Sequence, residues 1–272
     1  MRDSWAKKLF IDNVSIYQPV LESGLKKAPL EVQGLIRLFR KFRVPKGGKI
    51  LDASCGIGRH SIHLAKSGYD VVGYDPSQPF LRRAQQLCRR MGLSKNRIRF
   101  YCGRSAEIAD VLLENGEDEF DAIISMDYSF GYSGREDDLH LFRNLRKLGN
   151  QKCVLVIETG NKNFWFKHFQ YYFRESFPSG LERFSAFSLD RRKGVLKSDW
   201  EFYRKLEDRT LKYLLSVRVV AIIYSKESLA NLLNSAGWRP VSTFENIQHP
   251  RRVSDSVPMF FTVAKYLAPG VR

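Results

Sequence analysis

The sequence predicts an α/β protein: a doubly wound, mostly parallel seven-stranded sheet with helices ahead of it and a β-rich insertion over its carboxyl edge. Three observations predict it. From residue 47 to about 160, short apolar runs alternate with single amphipathic segments, and strands separated by one helix need crossover connections, hence parallel pairing. Residues 1–46 carry apolar stripes at helical spacing with no strand among them. Residues 161–225 are crowded with aromatic side chains and then alternate over two long stretches, as strands do.

The elements follow in order. Ala6, Leu9 and Phe10, then Val32, Leu35, Ile36, Leu38 and Phe39, mark helical faces in the first 46 residues, a helical lid that ends at the turn Pro45-Lys46-Gly47-Gly48. A core at 47–160 then reads as strand Lys49 to Asp52, helix Gly58 to Ser67, strand Asp70 to Tyr74 and helix Gln78 to Met91. It continues as strand Ile98 to Tyr101, helix near Ser105 to Leu113, strand Ala122 to Met126, helix Asp137 to Leu148 and strand Val154 to Glu158. In the insertion, 161–225, the aromatic cluster Phe164 to Phe187 precedes two strands, Ser198 to Leu206 and Leu211 to Tyr224, joined across Asp208-Arg209. The remainder, 226–272, returns to the core with helix Lys226 to Ser235, stopped by Gly237, and strands near Val241 to Glu245 and Met259 to Lys265.

Composition narrows the function classes. With 272 residues, 43% of them hydrophobic and 13% aromatic, the chain has the apolar side chains to bury a core, which excludes global disorder. The N-terminus lacks the apolar stretch of a secretory signal, and no run approaches the roughly 20 apolar residues of a membrane-spanning helix. Neither export nor membrane insertion is expected. Cys55, Cys88, Cys102 and Cys153 lie far apart with no C-x-x-C pair, which fits a reducing cytoplasm and no structural zinc. The 45 Lys+Arg against 29 Asp+Glu give +16, either a footprint for nucleic acid or a solvated surface.

The segment richest in chemistry is Asp52-Ala53-Ser54-Cys55-Gly56-Ile57-Gly58-Arg59-His60, a strand end, a glycine turn and a helix start. Glycines let a ligand approach the backbone, and the helix start offers free N–H groups. A dinucleotide fingerprint would need a third glycine where Ser61 stands, and a phosphate loop a Gly-Lys-Ser/Thr ending. Asp52 at the strand end would repel pyrophosphate. A second acid, Asp75, closes the next strand and is placed to accept hydrogen bonds from two ribose hydroxyls. An adenosine at one end and a cationic amine near Asp52 at the other describe S-adenosylmethionine.

From about residue 30 onward the chain resembles the class I S-adenosylmethionine-dependent methyltransferases, which share a Rossmann-like sheet. Their first motif, an acid, any residue, then G-C-G-x-G, falls on Asp52 to Gly58 with Ser54 in the first glycine's place. The resemblance implies a cofactor site of Asp52, Ser54, Cys55, Gly56, Gly58, Arg59, Asp75, Pro76, Ser105, Ala106 and Asp127. Arg104 stands where the family commonly has an Asp, so adenine would be recognised there by backbone groups or another side chain. The segment Met126-Asp127-Tyr128-Ser129-Phe130-Gly131-Tyr132 looks like the small-molecule, glycine N-methyltransferase-like branch, which implies a small-molecule acceptor.

Methyl transfer needs a positioned acceptor and excluded water more than a protein nucleophile. Asp127, Tyr128 and Tyr132 are the catalytic candidates, as orienting groups or proton acceptors, and Glu158 could face the same crevice. Tyr17 is a candidate lid residue. His140 reads as a surface or packing residue, Cys55 as a backbone spacer, and His60 and His63 match a metal pair in spacing only, so no metal is expected. Two other functions remain open: methylation of RNA or a ribosome-associated protein, and cofactor binding without catalysis. Composition and motifs leave the oligomeric state open.

Overall fold

In the computed structural model, residues 5–266 are described; positions 1–4 and 267–272 lie outside them. The chain starts with α1 (Trp5–Lys7), a π-helical turn (Lys8–Asp12), α2 (Val14–Ser23), a 3-10 turn (Gly24–Lys26) and α3 (Ala28–Lys41). Next come β1 (Lys49–Ala53), α4 (Arg59–Lys66), β2 (Asp70–Asp75), α5 (Gln78–Arg90) and β3 (Ile98–Cys102). A 3-10 turn (Ser105–Glu107) leads into α6 (Ile108–Glu114), then β4 (Phe120–Ser125), α7 (Arg135–Leu148) and β5 (Gly149–Gly160). The insertion holds α8 (Lys162–Lys167), β6 (Tyr172–Ser176), β7 (Leu181–Asp190), β8 (Val195–Lys205) and β9 (Leu211–Ile222). The chain closes with α9 (Lys226–Ser235), β10 (Trp238–Phe244) and β11 (Met259–Tyr266).

The main sheet has seven strands in the order β10-β11-β5-β4-β1-β2-β3, parallel from β5 to β3 and antiparallel at β11 and β10. The predicted doubly wound α/β fold is therefore what forms. Its strands are apolar on both faces because each covers helices on both sides. Ile50, Val71, Ile124 and Val156 face α3 and α4, while the alternate residues Leu51, Val72, Ile123 and Leu155 face α6, α7 and α9. The sheet order reverses direction at β1 and β4, the switch point where open sheets of this kind bind ligands.

A second, four-stranded antiparallel sheet, β6-β7-β8-β9, stands beside the first. The segment around Phe164 to Phe187, expected only as an aromatic cluster, contains α8 and two further strands. A parallel bridge between Asn161 and Tyr224 closes the insertion at its base. Tyr224 is buried there, donating its hydroxyl to Asp138 at 2.5 Å and packing on Phe130. Leu9 from the N-terminal segment packs with Leu181, Phe202, Leu215, Val217 and Val219 of the second sheet, so helices and sheet form one roof.

Candidate active site

The turn after β1 is built by hydrogen bonds that the sequence placed one residue at a time. Cys55 N–H donates to Tyr74 O at 3.0 Å, and Gly58 N–H donates to Cys55 O at 2.9 Å. Ser54 takes a left-handed φ of +65°, as do Gly56 at +55° and Gly58 at +74°. The serine thus occupies a conformation that glycine adopts without cost and that strains other L-residues. Cys55 is buried, and burial pushes its thiol well above the usual cysteine range, so it stays neutral and acts as a spacer.

Asp75 ends β2 with 6% of its surface exposed. Its Oδ2 accepts the Gly56 N–H and its Oδ1 the Ser77 N–H, both at 2.8 Å. A carboxylate has about four acceptor positions, so each oxygen keeps one for a ribose hydroxyl. Those two free acceptor positions and the glycine turn beside them fit the adenosine half of S-adenosylmethionine. Burial raises the Asp75 carboxyl to about 6, against the pull of the two N–H groups. Pro76 follows, and Ser77 caps α5 while donating its hydroxyl to Phe10 O at 2.6 Å.

Asp52 is 1% exposed, and one of its oxygens takes both the hydroxyl of Ser61 at 2.5 Å and its N–H at 3.1 Å. Its carboxylate braces the first turn of α4. Burial raises its pKa, against the pull of His60 and Ser61. Arg59 is divided between Glu31 of α3 at 2.5 Å and Asp127 after β4 at 3.3 Å. His60, offered by spacing as half of a metal pair, instead lies 2.9 Å from Glu31. Glu31 is the residue that sequence reasoning missed: it lies 28 positions from Arg59, with no local pattern to announce it.

After β3, Arg104 turns to Glu107 and is exposed, with Glu107 also accepting its N–H at 3.2 Å. Ser105 and Ala106 form the following 3-10 turn. The Ala106 carbonyl accepts the Asn144 side-chain amide at 3.0 Å and lies 3.3 Å from the exposed His140.

At the carboxyl end of β4, Asp127 and Tyr128 both have positive φ, +63° and +57°. Two consecutive non-glycine residues in this region store strain of a kind that collects at functional sites. Glu158, at the end of β5, accepts the Asp127 N–H at 3.0 Å. Burial pushes the Glu158 carboxyl up to about 8, and the neighbouring Asp127 adds to the rise. Tyr132 donates its hydroxyl to Tyr128 O and packs edge-on against Trp5 at 4.7 Å. Tyr128 itself lies against Gly160, where a Cβ would come within 2.4 Å of its ring. Burial raises its pKa, so its hydroxyl stays protonated.

The roof meets this edge from above. Tyr17 stacks on Trp200 of β8 with planes 4° apart and centroids at 6.3 Å, and Arg183 of β7 lies over the same indole at 4.3 Å. Burial pushes the Tyr17 hydroxyl up to about 12, with Arg183 opposing and Asp127 assisting. Leu21 of α2 covers the glycine turn, 3.6 Å from where a Gly56 Cβ would be. The edge of β1, β4 and β5 is thus floored by carboxylates and roofed by aromatic rings.

Comparison with known proteins bears on the domain and the fold. Residues 50–151 match the family model described as a methyltransferase domain. The chain is 36% identical over 124 residues to a 23S rRNA uracil-C5 methyltransferase of Aromatoleum aromaticum, covering 45% of this chain and 27% of that one. It spans less than half the length of the curated relatives it first matches. A S-adenosylmethionine-dependent methyltransferase from Clostridium acetobutylicum superposes with a TM-score of 0.74 at 15% identity, over 93% of this chain and 97% of that one. A S-adenosylmethionine-bound amino pentose methyltransferase from Micromonospora echinaspora gives 0.67 at 17% identity, over 92% and 96%. Among the described residues no helix is long and apolar enough to cross a membrane. Residues 50–151 thus carry a methyltransferase domain, and the whole chain shares the fold of these structural neighbours.

Proposed function

We propose that the protein transfers a methyl group from S-adenosylmethionine to the amine nitrogen of a small molecule held between the β4–β5 edge and the aromatic roof. The observation that carries this reading is Glu158. Burial pushes this carboxylate up to about 8 beside Asp127, whose charge also reaches Tyr17 and Tyr132. When bound, the cofactor supplies a methyl already activated on a sulfonium. Asp75 and the Gly56–Gly58 turn would hold its adenosine, and the Ser105-Ala106 turn would border the adenine.

The remaining work falls to the chain's own side chains. An ammonium acceptor has no lone pair until a proton leaves, and Glu158, once ionised, accepts that proton. Its high pKa matches the task, since a base titrating near the working pH combines availability with driving force. Asp127 adds negative charge that favours a cationic acceptor, and the stacked rings of Tyr17 and Trp200 keep water out. The amino pentose methyltransferase among the structural neighbours is named for such an acceptor.

A second reading, RNA methylation, is favoured by the +16 charge and by the rRNA methyltransferase among the relatives. The deciding experiment is incubation of the purified protein with radiolabelled cofactor and fractionated cell extract. Label in small cationic molecules supports the first reading, label in RNA the second, and no turnover with intact cofactor binding sinks both.

A further inference from the structure

On the face of the sheet that carries α3, α4 and α5, the loop after β10 lies directly on α3. A Cβ at Gly34 would come within 2.6 Å of Ile247 O, which explains a glycine in the middle of a helix, where it ordinarily costs stability. Asn246 Oδ1 accepts the N–H groups of Gln248 at 2.7 Å and His249 at 3.0 Å, and Arg37 donates to Gln248 O at 3.0 Å. Between helix and loop opens a cavity of about 470 Å³, lined by Arg37, Lys41, His249 and Arg251 over a floor of Leu38 and Ile247.

Positive charge continues around it. Arg40, Arg43 and Arg252 are exposed nearby in sequence, and Lys41 and Lys265 reach the same Phe42 ring at 5.7 and 5.5 Å. Among the described residues none of Arg37, Arg40, Lys41, Arg43, Arg251, Arg252 and Lys265 is in an ion pair. Of the two carboxylates on the same loop, Glu245 accepts the Ser254 hydroxyl at 3.2 Å and Asp255 pairs with Lys167. The methyl-transfer site, by contrast, is acidic.

We propose that this cleft is a docking site for the phosphate backbone of single-stranded RNA, separate from the methyl-transfer site. Seven unneutralised cations spread over a helix and two strand-end segments exceed what one phosphate group can occupy, whereas successive phosphodiesters match them. Pro250 and the His249 ring at the rim offer surface on which a base can lie. The first turn of α3 carries Glu31, the partner of Arg59, so RNA held on its last turns sits on the helix that frames the cofactor turn.

The test is fluorescence anisotropy of a labelled single-stranded RNA of mixed sequence with the full chain, across roughly 50 to 200 mM salt. Arg37→Glu with Arg251→Glu is expected to weaken binding at least tenfold and to flatten the log–log salt slope by about 0.7 per lost contact. Arg191→Glu with Arg192→Glu, an equal charge change on the far β7–β8 turn, should stay within about twofold of the parent. Equal losses in both double variants, no binding by the parent, or full displacement by millimolar inorganic phosphate would overturn the proposal, the last in favour of a small-anion site. Calorimetry with S-adenosylhomocysteine on the same variants checks folding, and Lys41→Glu replaces the double variant if it does not fold. Failure here leaves the reading of the β4–β5 edge untouched, because that edge shares none of these residues.

Discussion

The side chain of Glu158 accepts the backbone N–H of Asp127 at 3.0 Å, tying the end of β5 to the strained turn after β4. One bond therefore fixes two things: the left-handed conformation that turns Asp127 toward Arg59, and the position of a carboxylate that burial pushes up to about 8.

Glu158→Gln keeps the hydrogen-bond acceptor and removes the base. Methyl transfer to an amine should fall by about 10²–10⁴-fold, and the parent's rise in rate as pH passes about 8 should vanish with it. Stability moves the other way. The folded-state pKa of about 8 lies above the ordinary 4.5, so between those values the folded protein holds a proton that the unfolded chain has lost. That contribution is complete below 4.5 and is lost as pH rises to about 8. Thermal melts should show the variant gaining on the parent with rising pH. A variant that keeps the parent's rate profile would falsify the base assignment.

Asp75 gives a second pH signature, lower on the scale. Ribose hydroxyls donate to the ionised carboxylate, so binding of S-adenosylhomocysteine should tighten as pH rises through about 6 and then level off. Calorimetry over roughly pH 5 to 7.5 measures it, and a flat profile there excludes the ribose contact. Asp75→Ala should weaken binding by roughly 1.5–3 kcal/mol. Its oxygens also hold Gly56 and Ser77, so a modest loss of thermal stability should accompany it.

Ser54 sits at φ +65°, where an L-residue costs about 1–2 kcal/mol and glycine does not, although glycine gives back about 0.5–1 kcal/mol through unfolded-chain entropy. Ser54→Gly should therefore stabilise by up to about 1 kcal/mol, a rise in Tm of roughly 2–4 °C. A β-branched residue there, as in Ser54→Val, should lower Tm. Equal melting of all three proteins would show that the turn relaxes around the serine.

Local chemistry made much of this legible in the sequence. The core strands read correctly because burial on both faces turns them into apolar runs, and the Asp52–Gly58 segment and Asp75 stand out because each acid lies at or next to a strand end beside a glycine turn. What stayed hidden depends on distance or exposure. β6 is exposed along its whole length, an edge strand with no apolar alternation to betray it. The partners of Arg59 come from α3 and from the turn after β4, and no spacing rule links them. The positive φ at Asp127 and Tyr128 has no glycine to announce it.

The N-terminal helices should behave as a closure rather than as fixed core. Of the rings that join them to the second sheet, Tyr17 has the most specific geometry, stacked on Trp200 and edge-on to Phe202 at 6.5 Å. Leu21 lies over the glycine turn and Phe10 O takes the Ser77 hydroxyl, so the cofactor turn is reached by displacing these helices. Tyr17→Ala removes ring contacts worth about 2 kcal/mol, to Trp200 and Phe202 of the second sheet and to Phe10 of its own segment, none of them within the seven-stranded sheet. Trypsin cleavage at the exposed Lys26 and Lys27 should therefore quicken in the variant while the global melt shifts little. Bound S-adenosylhomocysteine should slow the same cleavage in the parent, because a ligand on the turn adds contacts to the closed arrangement. Identical cleavage in parent and variant would mean that Leu9 and its neighbours hold the segment down without the stacked ring.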